Sequence, residues 1–108
     1  PEPAKTKGMK FDESKPDWSL LPMKDIEPVV KVLTYGATKY ERDNWKHVEN
    51  GEHRYLAAAL RHIAAYQSGE QYDKETNESH LAHAICCLIF LLANRTTPAG
   101  GGANNTGR

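Results

Sequence analysis

Residues 80–94 read HLAHAICCLIFLLAN, and this stretch decides the fold. Apart from His80, His83 and the closing Asn94, every residue in it is apolar or a cysteine. Such a run is too long for an ordinary strand and too short to cross a bilayer, which takes ~20 residues. A helix that is apolar almost all round belongs in the centre of a bundle or at an oligomer interface. We expect it to start from an Asn77 cap and to continue to about Asn94.

Two amphipathic helices precede it. Leu56, Ala59, Leu60, Ile63 and Tyr66 recur at helical spacing, predicting a helix from about Glu52 to Gln67 that stops at Ser68-Gly69. Its run Ala57-Ala58-Ala59 lets a neighbouring helix approach closely. Ile26, Val29, Val30, Leu33, Ala37 and Tyr40 predict an earlier helix, with Asp25 as N-cap and Pro28 in the first turn. Gly36 either permits close packing there or marks a break before Lys39. The fold class is therefore all-α: a small bundle of three main helices, with Val32 to Thr34 the only hint of strand propensity.

Outward from the helices the pattern fades. Residues 11–22, FDESKPDWSLLP, mix aromatics with turn-formers and prolines, predicting an extended arm anchored by Phe11, Trp18, Leu20 and Leu21. Residues 41–51 read as a loop, and residues 70–78 as a polar, acidic one. Residues 1–8 are expected to form a flexible tail, residues 9–95 the helical domain, and residues 96–108 a disordered tail ending in AGGGANNTGR. A core built from so few residues is modest, so we expect it to be completed by pairing with further copies of the chain.

Charge narrows the partners. Fourteen basic residues balance fourteen acidic ones, so no overall basic field draws in duplex nucleic acid. A small anion held in a local cleft stays open. Cys86 and Cys87 are adjacent, point about 100° apart on a helix and read as reduced core thiols. With no signal-peptide pattern and no bilayer-length run, the chain is expected to be cytoplasmic and to bind no membrane.

Two groups of residues carry chemistry. His62, the loop acids Glu70 and Asp73, and the helix-borne His80 and His83 bring metal-ligand types together. Spacing of three puts His80 and His83 on one helical face. Mixed imidazole and carboxylate donors suit a divalent transition metal; carboxylates alone would suit Mg²⁺. The plainer alternative is that the histidines are hydrogen-bonded structural groups and the acids are solvated. The second group is basic and aromatic: Lys15, Trp18, Lys39, Tyr40, Asn44, Trp45, Arg54 and Arg61. Arg54 and Arg61, seven apart, point the same way and suit phosphate oxygens, while the aromatics could stack a base. Their plainer roles are surface ion pairs and the pinning of loops.

The strings KFDESKPDWSLLP, VLTYGATKYERDNW, RYLAAALRHIAAYQSGE and HLAHAICCLIFLL resemble, in order, the motifs of the phage-type dATP/dGTP diphosphohydrolase N-terminal family. The resemblance covers approximately Met9 to Leu92. It implies hydrolysis of a purine deoxynucleoside triphosphate to monophosphate and pyrophosphate, in the host cytoplasm if the gene is phage-borne, with Mn²⁺, Mg²⁺ or another divalent metal. Within the region it covers, we assign the metal to His62, Asp73, His80 and His83. Glu70, Asp73 and His62 would be catalytic, and the basic and aromatic group would bind substrate.

One departure qualifies this. The distantly similar MazG-like all-α pyrophosphatases hold Mg²⁺ on paired E-x-x-E and E-x-x-D helices. Here the corresponding place reads His80-x-x-His83, and the preceding helix offers Arg54, Arg61 and His62. Either the metal differs, or Glu70 and Asp73 stand in, or the domain sequesters a nucleotide or a cyclic-nucleotide defence signal without cleaving it.

Overall fold

A computed structural model describes residues 8, 9, 11 and 13–96, with side chains as far as Asn94. It holds three helices of equal length: α1 (Met23–Lys39), α2 (Gly51–Gln67) and α3 (His80–Thr96). Short 3-10 turns at Trp18–Leu20 and Asn44–His47 precede α1 and α2. Among the described residues there is no strand, and the 32–34 segment lies inside α1. The expected tails fall outside the described residues, except that Gly8 lies within them and α3 runs on to Thr96.

Helix α3 is the hub, packing along α2 and crossing α1. Tyr55 meets Phe90 edge to face, and His62 stacks on His83. An ideal Cβ on Gly51 would meet the Asn94 side chain. Rising numbers on α2 thus meet falling numbers on α3, so the pair is antiparallel. Ala59, Ala82, Ala84, Cys86 and Cys87 supply the buried middle, small side chains that let the backbones close up. Val29 of α1 joins Ala82 and Cys86, with Ile26, Val32, Leu33 and Phe90 against them. The Cys86 thiol donates to the Val29 carbonyl at 3.4 Å, tying α1 to α3. Burial pushes that thiol's pKa up to about 12, so it stays protonated, and both cysteines are free.

Four details differ from expectation. Helix α1 begins two residues before Asp25, because the Pro22 carbonyl already accepts from the N–H groups of Asp25 and Ile26. Asp25 lies in the first turn, favourable to the helix dipole, while Pro28 lies past that turn, so its absent N–H leaves the Lys24 carbonyl without a helical partner. The α3 cap is Ser79, whose Oγ accepts the Leu81 N–H at 3.0 Å; Asn77 lies outside the helix at φ 60°, a conformation Asn tolerates. The third concerns the arm. Phe11, Trp18 and Leu20 are 70–80% exposed, so they do not anchor it to this chain. Asp17 caps the turn there through Ser19. Fourth, Asn44 to His47 form a 3-10 turn within the expected loop. Gly36 breaks nothing, since α1 runs through it and a Cβ there would meet open space.

Candidate metal centre and anion cleft

The loop between α2 and α3 folds back on itself before α3 begins. Tyr72 and Ser79 form an antiparallel bridge, Asp73 N–H donates to the Glu78 carbonyl, and His80 N–H donates to Gln71. Inside this turn the Asp73 Oδ2 accepts from the N–H groups of Glu75 and Thr76, both at 3.0 Å. Burial alone would raise the Asp73 pKa, but the Thr76 N–H, His83 and the Glu75 N–H outweigh it and hold the carboxyl below its ordinary value. It is an anion at neutral pH.

That turn sets Asp73 beside three histidines. His62 on α2 and His80 on α3 face each other with their Nδ1 atoms 2.8 Å apart. One ligand atom from each of His62, Asp73 and His80 lies within 4.8 Å of the others, close enough for a small side-chain movement to bring all three onto one divalent ion. His80 is only 5% exposed, and its Nε2 has no aligned hydrogen-bond partner, although the Glu70 carboxylate lies 3.2 Å away. Distance is met there and alignment is not. A buried, unsatisfied imidazole nitrogen costs stability unless something coordinates or hydrogen-bonds the ring. These residues fit a metal.

His83 stands slightly apart from this group. Its Nε2 lies 2.7 Å from the Thr76 hydroxyl and 3.8 Å from Asp73 Oδ2, and its ring stacks on His62 at 4.6 Å between centroids. Burial lowers the pKa of both His62 and His83, for His62 with help from the neighbouring imidazoles, so both tend to be neutral and able to coordinate.

His83 also borders an open cleft between α1, the 41–48 connection and α2. Of the substrate-binding residues expected from sequence, Lys39, Tyr40, Asn44, Trp45, Arg54 and Arg61 line it; Lys15 and Trp18 do not. Arg54 and Arg61 are exposed and have no ion-pair partner among the described residues. Lys39 is engaged: its Nζ lies 2.8 Å from Glu75, which also accepts from the Tyr35 hydroxyl. That hydrogen bond raises the Lys39 pKa, so the group stays cationic. Trp45 stacks on Phe90 at 4.6 Å and 14°, so one face of its ring pins the connection to α3.

Sequence reasoning did not single out Thr76 or Glu75. The signal was present in Asp73-x-x-Thr76, where an Asp accepting the backbone N–H groups two and three residues on makes a local turn.

Comparison with known proteins places the chain. A family model described as dATP/dGTP diphosphohydrolase, N-terminal, matches residues 5–101. A protein of Salmonella phage PMBT28 named dATP/dGTP diphosphohydrolase is 39% identical over 93 residues, covering 83% of this chain and 31% of that protein. The chain therefore spans under a third of that relative's length. No solved structure matches it. In sequence, from the arm to the end of α3, the chain belongs to the dATP/dGTP diphosphohydrolase N-terminal family.

Proposed function

We propose that the domain binds a purine deoxynucleoside triphosphate in the cleft and hydrolyses it, with water, to the monophosphate and pyrophosphate. The observation that carries this reading is the convergence of His62, Asp73 and His80 next to a cleft bearing Lys39, Arg54 and Arg61. His62, Asp73 and His80 would hold a divalent metal, with His83 beside them. Bound there, a metal lowers the pKa of water and neutralises charge at phosphorus. The chain's own part is positioning. Arg54 and Arg61 present forks to phosphate oxygens, and Lys39 exchanges Glu75 for a phosphate. Tyr40, Asn44 and Trp45 sit where a base would lie. The same reading has the domain working as a homo-oligomer, supported by Leu56, Leu60, Leu88 and Leu92, which a single chain leaves exposed.

A second reading rests on one observation. The helical walls of the cleft carry Lys39, Arg54 and Arg61 but no carboxylate; its acids, Glu41, Asp43 and Glu75, lie on connections. That suits capture of an anionic nucleotide, linear or cyclic, without cleavage. Incubation with each dNTP, with and without Mn²⁺ or Mg²⁺, followed by chromatography, separates the two. Metal-dependent release of dAMP or dGMP is the expected outcome; nucleotides recovered intact with every metal would leave capture as the function.

A further inference from the structure

We infer that the histidine cluster is a six-coordinate transition-metal centre, ligated by Nδ1 of both His62 and His80 and by Asp73, with Glu70 as the carboxylate that orients His80. The inference rests on the metal half of the reading above and not on hydrolysis. It departs from the sequence expectation that Glu70 is a catalytic group.

The Nδ1 contact comes first. Two imidazoles can set their Nδ1 atoms 2.8 Å apart in only two ways. They share one proton, or both lone pairs point at one cation. Nitrogens at that separation, each ~2.1 Å from an ion, subtend roughly 85° at it, the cis angle of an octahedron and well short of a tetrahedral angle. Asp73 gives the third corner. The described hydrogen bonds to its carboxylate fall on Oδ2, which leaves Oδ1 to coordinate. Two imidazoles on cis corners and one carboxylate, 4.8 Å or less from them, leave three positions open and suit Mn²⁺, Fe²⁺ or Co²⁺ over Mg²⁺.

Ligation through Nδ1 fixes the tautomer and assigns Glu70. His80 then carries its proton on Nε2, the buried nitrogen that has no aligned partner and that faces the Glu70 carboxylate at 3.2 Å. The Glu70 side chain is 44% exposed and free to turn into line. A carboxylate accepting from the far nitrogen of a metal-bound histidine holds the ring in place and strengthens it as a ligand. Glu70 is in this sense a positioning residue.

The test is a Co²⁺ titration of the metal-stripped protein, followed by visible absorption with far-ultraviolet circular dichroism as the fold control. Wild type should bind one ion with the weak visible band of six-coordinate cobalt. Glu70→Gln should keep that band and the helical signal while binding about 10- to 100-fold more weakly. His62→Ala should lose the band. An intense tetrahedral band would overturn the geometry, and an unchanged affinity in Glu70→Gln would overturn the role of Glu70. No binding by wild type would mean that the two nitrogens share a proton. Full cobalt binding without dNTP cleavage would refute hydrolysis and leave this centre intact.

Discussion

The two ends of the α2–α3 pair are built on the same antiparallel register but from opposite chemistry. At one end Tyr55, Phe90 and Trp45 stack into an aromatic seam; two helical turns along, His62, His80 and His83 occupy the equivalent positions between the same helices. The aromatic end gains chiefly from ring packing and burial, its polar atoms being confined to the Tyr55 hydroxyl and the Trp45 indole N–H. The histidine end gives up that gain and needs Asp73, Thr76 and Glu70 to partner its nitrogens. Ring packing holds the first end together, and the second end carries the polar groups.

The sharpest way to break the contrast is Phe90→Ala. It removes the shared partner of Trp45 and Tyr55, and we expect a loss of about 3 kcal/mol in urea unfolding, the low end for a Phe truncation because Phe90 is half-buried. Metal affinity in the folded fraction should hold; if it falls in step with stability, the ends are not independent. His62→Ala should do the reverse, lowering dNTP turnover by at least about 100-fold while leaving the urea midpoint nearly unchanged.

Acid should tell the ends apart as well. Burial depresses the folded-state pKa of His62 and His83, so the unfolded chain binds protons more readily as pH falls below about 6.5. Stability of the metal-free protein should therefore be full above that pH and decline as pH falls toward the lowered folded values. Phe90→Ala should show the same slope, and a His62→Ala, His83→Ala double variant a flatter one, in unfolding curves taken from pH 7.5 to 5. The smallest effect belongs to a site in neither cluster. Gly36→Ala should stabilise the chain by about 0.5–1 kcal/mol, because Gly36 is inside α1 with open space where the methyl would go.

The sequence was most legible where periodicity is long. All three helices were expected, and α2 ends where the Ser68-Gly69 signal puts it. Helix starts were less legible: Asn77 and Ser79 are both good caps, and the choice between them depends on the Tyr72–Ser79 bridge, a contact outside the helical period. Spacing placed His80 and His83 on one face and gathered the cleft residues, but Lys15 and Trp18 belong to an arm whose path no local pattern encodes. Nor does spacing reveal that His62 and His80 meet through Nδ1, since that depends on how two helices pack.

The bridge between Tyr72 and Ser79 has a consequence for design. It closes a small hairpin whose stem runs directly into His80, so Glu70, Asp73, Thr76, His80 and His83 all come from one unbroken stretch, residues 70–83. Only His62 is supplied from elsewhere. Such a segment is portable: spliced between two antiparallel helices of another scaffold, with a single histidine added on the facing helix, it would bring nearly the whole donor set with it.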